Sequence, residues 1–410
     1  MKINLFKGKN LLVFILIILV GLAVILLGSI FVVNLLHRPY YGSDVSQYFD
    51  SGFLAKAADY NRISLNISIA SRFLSWSLMV GVIFLFFKYF KTPRINILYA
   101  FLLIILFYIL IELILLPLSY YRGYVVEHRF GLSNQTISMW FMDYLKENII
   151  SLTITSLAMT GIYALMVYMP GHWWIVSSVV LAVFIIILSY LYPILIDPLF
   201  YNFKKLEDEN LREQIVDIAD KANIEVKDVM VSDASRKTGK VNAYFAGVGG
   251  SRRIVVFDNL INNFSDQEAL SVVAHEIGHW YNRHIFKNII IGAVSGTLGL
   301  FLLHLIFSRS GMLGDFRSIL VIILLISVVS FLMMPASNAV SRFFERQADS
   351  FAVQATGNPD AQINLMVKLG QSNLSSVSPA GYIRFFLYSH PPIMERIETA
   401  KTFNKSYKEN

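Results

Sequence analysis

The chain has 410 residues, of which 55% are hydrophobic and 15% charged, against about 45–50% and about 25% in ordinary soluble domains. That balance excludes a disordered chain and argues against a plain soluble enzyme. The absence of cysteine excludes disulfides, thiolate zinc sites and cysteine nucleophiles. A net charge of +7 in so apolar a chain fits anionic lipid headgroups better than nucleic acid.

Taken in chain order, apolar runs fall near 11–35, 68–90, 95–118, 149–169, 173–193, 289–307 and 318–336. At 1.5 Å rise per residue, runs of this length cross a hydrocarbon core of roughly 30 Å. The pattern predicts seven membrane helices. Lys2, Lys7 and Lys9 precede the first run, as in a signal peptide. The run is too long for such a segment and no small-residue cleavage site follows, so an uncleaved helix is expected. Glu112 and His304 lie inside the third and sixth runs. Each should face a polar partner or a water-filled cavity, because a polar group in hydrocarbon is expensive.

Two stretches are polar. Residues 197–288 hold 14 of the 28 acidic residues and 12 of the 35 basic ones, and residues 337–410 are also polar. Two membrane crossings separate them, which returns the chain to its starting side. The two polar stretches therefore share one face of the bilayer and can build one site. Within 197–288, Leu206 to Ala222 has helical periodicity, while Asp228 to Ser232 and Arg253 to Phe257 look like strands. A further strand is expected between Lys237 and Tyr244. Ser265 and Glu268 form a capping box that starts a helix. No proline follows until after Phe307, so this helix is expected to run straight into the sixth span.

The chemistry sits in that helix, at His275-Glu276-Ile277-Gly278-His279. Residues i and i+4 share a helix face, so two imidazoles can meet one zinc ion at about 2.0–2.1 Å. Glu276 projects beside the pair, where it can take a proton from water and pass it to a leaving amine. A catalytic zinc needs a third protein ligand. His284 follows His279 by five residues, about 140° around a continuous helix, and is off the face. Glu345 and Asp349, again i and i+4, follow the seventh span. Glu345 could complete the zinc shell, and Asp349 could orient a ligand histidine or reach the site as a further carboxylate. The competing reading is a solvated helix on which Arg342, Arg346 and Glu345 pair.

The segments HEIGH, FERQADSFA (Phe344 to Ala352) and SHPP (Ser389 to Pro392) together resemble the integral-membrane zinc peptidases of the CAAX prenyl protease 1 type. Tyr124 to Thr136 (YVVEHRFGLSNQT) and Asp197 to Leu206 (DPLFYNFKKL) resemble other segments of that family, and the similarity runs from about residue 40 to 400. The resemblance implies a mainly α membrane protein. Seven transmembrane helices would surround an intramembrane chamber, with a small α+β zincin-type (HExxH, gluzincin) domain at one end. It implies one zinc ion per chain, with His275, His279 and Glu345 as ligands and Glu276 as general base. Asp349 would be a carboxylate described as a proton donor, and His390 would stabilise the oxyanion. A histidine aimed at a developing negative oxygen is physically sensible, although one before Pro391 is also an ordinary extended turn residue. Asn242, Ala243 and Tyr244 match the family's edge strand, which can pair with an extended substrate backbone.

The expected divisions are 1–196 (five membrane helices), 197–288 (zinc-peptidase domain), 289–336 (membrane hairpin) and 337–410 (segment supplying the third ligand). Short loops on the N-terminal side hold eight Lys/Arg in 30 residues, against six in 61 on the other side. The positive-inside rule then puts the zinc domain outside the cell, whereas the eukaryotic members, as the resemblance implies, face the cytosol. The expected location is a bacterial plasma membrane, or the endoplasmic reticulum for a eukaryotic source, with the side open. The expected function is zinc-dependent cleavage of peptides or membrane-associated proteins, the family's signature substrate being a lipidated C-terminus. No nucleic acid partner is expected. The alternatives are a channel or translocon-clearing factor with structural zinc, and a metal-free membrane chaperone.

Overall fold

The computed structural model describes residues 8–90, 94–246 and 253–408. Among these, seven helices are long and apolar enough to cross a membrane. They are α1 (Lys9–Leu36), α2 (Ser51–Tyr89), α3 (Ile97–Tyr120), α4 (Ile137–Tyr168), α5 (Trp173–Leu191) and, later in the chain, the pair His284–Ser310 and Arg317–Thr356. Large apolar side chains such as Ile17, Ile25, Leu98 and Val179 point outward and are exposed, the surface a bilayer covers. The second, fourth and seventh helices are longer than their apolar runs. Asp50 and Thr136 set the extra N-terminal turns by accepting from the backbone N–H of Phe53 and Met139.

Between the fifth and sixth membrane helices lies a small α+β unit. It comprises β1 (Phe203–Lys205), α6 (Glu209–Lys221), β2 (Asp228–Ser232), β3 (Ala243–Ala246), β4 (Arg253–Phe257) and α7 (Asp266–Tyr281). The sheet order is β1-β2-β4-β3. β2 and β4 run parallel from Asp228↔Arg253 to Ser232↔Phe257, and β3 lies antiparallel at the edge with Ala243 opposite Val256. The expected strand from Lys237 is thus shorter. Residues before Ala243 bond outside the sheet instead: the Asn259 side chain, on the short helix Asp258–Asn263, donates to the Thr238 and Lys240 carbonyls, and the Lys237 carbonyl accepts from Asn134 N–H. α6 begins three residues after Leu206, where Asp208 caps it by accepting from Leu211 N–H.

The expected continuous helix from Ser265 into the sixth span is broken. The capping box at Ser265 and Glu268 is present, but α7 ends at Tyr281 and α8 (His284–Ser310) starts afresh. Between them Arg283 takes the left-handed conformation, φ 56°, and the Asn282 side chain donates to the Gly278 carbonyl. The chain turns without proline.

α9 (Arg317–Thr356) runs unbroken from the seventh span into the polar region. It is followed by α10 (Pro359–Ser372), α11 (Gly381–Leu387) and α12 (Ile393–Lys408). The membrane helices touch in the cyclic order α1, α2, α3, α4, α5, α8 and back to α1, with α9 packed against α1 and α2. One core, including Trp76, Tyr163, Phe316 and Phe331, lies within this ring. A second, including Ile215, Val256, Val273 and Ile277, lies under the sheet. Of the two intramembrane polar residues, Glu112 accepts from the Tyr144 hydroxyl at 3.4 Å. His304 sits between the Trp173 and Trp174 rings. Glu112 thus has a polar partner within the bundle, whereas the His304 Nδ1 is buried without a hydrogen-bond partner.

Candidate active site

α7 and α9 cross at close range. A Cβ on Gly278 would lie 3.1 Å from the Ala348 Cα and 3.2 Å from its carbonyl oxygen, so only glycine lets the backbones approach this far. That approach brings His275 and His279 on α7 to Glu345 on α9. Their nearest ligand atoms all lie within 4.8 Å of one another. His275 Nε2 is 3.1 Å from His279 Nε2 and 3.2 Å from Glu345 Oε2. His279 Nε2 is 3.4 Å from Glu345 Oε1.

The outer nitrogens are also engaged. His275 Nδ1 is 2.9 Å from Asp349 Oδ1, and Asp349 in turn accepts two hydrogen bonds from the Arg396 guanidinium, at 2.8 and 2.5 Å. His279 Nδ1 is 2.9 Å from His284 Nδ1. Burial alone would lower the His275 pKa, but the Asp349 and Glu345 carboxylates outweigh it and lift the value to about 10. A point that holds an imidazole positive is a point that stabilises a cation.

These residues fit zinc on three grounds. Two facing nitrogens and a carboxylate are a zinc donor set. Ligand bonds of about 2.0–2.1 Å in a tetrahedron give edges of about 3.3 Å, matching the three separations above. Glu345 Oε2 is buried with no hydrogen-bond partner, a costly state that a cation relieves.

A cavity of about 640 Å³ opens over this cluster. Its wall includes His275, Glu276, Asn242, Ala243 and His390, and it extends to Asn34 and Ser68 on the membrane helices. Burial pushes the Glu276 carboxyl above the usual carboxylate range, although His275 and His279 partly offset this. His390 Nδ1 is 2.9 Å from Ser389 Oγ, and its Nε2 faces Glu345 Oε1 at 3.3 Å. Burial lowers the His390 pKa, which favours the neutral imidazole. Asn242 and Ala243 meet the cavity on the free edge of β3. Tyr244 turns away to hydrogen-bond Asp197, and burial with this bond pushes its hydroxyl pKa up.

The sequence-selected residues therefore converge, Tyr244 excepted. Reasoning from sequence missed Arg396, one of four basic residues on α12, which carries no local signal. It also set aside His284, whose ring reaches His279 only because the helix breaks at Arg283.

Comparison with known proteins agrees with this architecture. The peptidase family M48 model matches residues 205–404. The model of the CAAX prenyl protease N-terminal region, with five membrane helices, matches residues 32–202. The "Uncharacterized metalloprotease YhfN" of Bacillus subtilis is 32% identical over 299 residues, 70% of each chain. The "Probable CAAX prenyl protease 1" of Schizosaccharomyces pombe is 31% identical over 70% of this chain and 62% of its own. The crystal structure of S. mikatae Ste24p shares the fold, with a TM-score of 0.77 at 24% identity over 93% of this chain and 95% of that one. The chain belongs to peptidase family M48, in its CAAX prenyl protease 1 branch, and is an integral multi-pass membrane zinc metallopeptidase.

Proposed function

We propose that His275, His279 and Glu345 hold the zinc ion, that Glu276 is the general base, and that the substrate is an extended peptide segment paired with the edge of β3. The observation that carries this is the convergence of three ligand atoms within 4.8 Å beside a cavity lined by one of them, His275, together with Glu276 and His390.

When bound, zinc supplies a Lewis acid that polarises the scissile carbonyl and lowers the pKa of water. The other work belongs to side chains of this chain. Glu276, with its raised pKa, takes a proton from the attacking water on a carboxylate oxygen and returns it to the leaving nitrogen. The Ser389 hydroxyl is placed to donate to His390 Nδ1, and in that tautomer Nε2–H donates to the oxygen that becomes negative. The Asp349 carboxylate, 2.9 Å from His275 Nδ1, holds the ring by charge, and Arg396 holds Asp349. Its place behind His275 supports an orienting role over proton donation. The free edge at Asn242 and Ala243 aligns the substrate backbone.

The same reading divides the chain into a membrane part (1–196), a zinc-peptidase domain (197–288), a membrane hairpin (289–336) and a segment that brings Glu345, Asp349 and His390 (337–410). The substrates we propose are peptides and unfolded segments of membrane-associated proteins. The lipidated C-terminus in the relatives' name comes to this chain only as a candidate. The test is a peptide-library digest by the purified protein with and without chelator, beside Glu276→Gln. Cleavage should vanish with chelator and return with zinc. The variant should keep its zinc and lose about 10³-fold or more in rate. Undiminished cleavage by the variant would leave the zinc a structural role.

A further inference from the structure

The break between α7 and α8 has a chemical consequence at the candidate zinc site. Arg283 at φ 56° separates the two helices, and His284 reaches back to His279 on α7. Its ring is 2% exposed and stacks flat on Phe344, with centroids 4.2 Å apart and planes at 12°. It is bonded at both nitrogens: Nε2 to Gln347 Oε1 at 2.9 Å, and Nδ1 to His279 Nδ1 at 2.9 Å. Gln347 lies on α9 between Glu345 and Asp349.

Hydrogen-bond logic then fixes the protons. A carboxamide oxygen only accepts, so His284 Nε2 carries a hydrogen. In a neutral imidazole the other nitrogen is an acceptor, so His284 Nδ1 accepts and His279 Nδ1 donates. His279 Nε2 is left with its lone pair, directed at His275 Nε2 and Glu345. That tautomer is the one a metal requires. His275 has the Asp349 carboxylate 2.9 Å from its own Nδ1, so one imidazole faces an anion and the other a neutral ring.

We infer that His284 is a positioning residue for His279, buried between Gln347 and His279 so that Nε2 of His279 is held as a lone-pair donor toward the zinc site. The inference rests on the proposed ligand set. Its general basis is that groups hydrogen-bonded to the far nitrogen of a ligand histidine fix its tautomer, and their loss typically costs 10–100-fold in metal affinity.

The test is zinc affinity of the purified full-length protein, stripped and titrated against a competing chelator, for wild type and four variants. His284→Phe keeps a ring on Phe344 but has no acceptor. His284→Asn places an amide oxygen near the position of Nδ1. We expect His284→Phe to bind zinc 10–100-fold more weakly and His284→Asn to recover most of that loss. Cobalt-loaded His284→Phe should show shifted visible bands, and cobalt-loaded His284→Asn the wild-type bands. His275→Ala and Glu345→Ala should lose zinc altogether. If they do and His284→Phe binds as wild type, the inference fails while the ligand set stands. If they bind zinc like wild type, the ligand set fails and the inference with it. Should His284→Phe not fold, His284→Leu, which also lacks an acceptor, takes its place: zinc affinity at least tenfold below that of His284→Asn supports the role, and equal affinities overturn it.

Discussion

At the residue scale, the site is a cluster of buried charges that stabilise one another. Asp349 and Arg396 are nearly inaccessible, and Asp349 also meets His275. Removing one partner of a buried pair leaves an uncompensated charge, at a cost of about 3–5 kcal/mol. Asp349→Asn should therefore lower stability by that order in chemical unfolding and weaken zinc binding; a variant as stable as wild type would show that the pair contributes nothing. The residues legible in the sequence were those whose relation is local: His275 with His279, Glu345 with Asp349. Arg396 and His284 were not, because their partners are set by a crossing of helices and by one left-handed residue.

At the element scale, α7 carries the site and both of its ends are fixed. Ser265 and Glu268 close its start, and Lys368 donates to Glu268 at 2.6 Å. Burial would raise the Glu268 pKa, but Lys368 and the Ser265 backbone N–H outweigh it and hold the carboxyl below its ordinary value. A carboxyl depressed in the folded state stabilises the fold above its unfolded pKa and loses that stabilisation as pH falls through the folded one. Amide protection over residues 266–272, corrected for the intrinsic pH dependence of exchange, should therefore fall as the medium is made more acidic than about pH 4.5, and in Glu268→Gln the corrected protection should stay level there. Gly278 governs the crossing with α9. Gly278→Ala gains about 1 kcal/mol of helix propensity but meets packed backbone at 3.1 Å, and overpacking costs about 1–3 kcal/mol. The net result should be lower stability and weaker zinc binding in thermal and chelator titrations; a stabilised, zinc-replete Gly278→Ala would mean that the helices separate freely. The capping box was legible because it is spelled out in four consecutive residues. The irregular stretch before Ala243 was not, because the Asn259 side chain, far along the chain, takes its carbonyls.

At the scale of the whole molecule, membrane ring and catalytic unit are joined by α9, one helix of 40 residues. Seven spans and the return of the chain to one face were legible from apolar run lengths. The true helix lengths were not, since polar turns outside the bilayer leave no hydropathy signal. Because α9 is continuous, one alanine inserted between Pro335 and Glu345 should rotate the carboxylate by about 100° and abolish zinc binding. The same insertion between Gly311 and Asp315, in the loop before α9, should be tolerated. Equal zinc content in both variants would show that the helix does not set the site. The most direct measurement is a zinc-edge anomalous difference map from crystals of the zinc-loaded protein. The account predicts one strong peak within about 2.0–2.2 Å of His275 Nε2, His279 Nε2 and a Glu345 oxygen. A peak that shares none of these three atoms, in protein that still cleaves peptides, would contradict it.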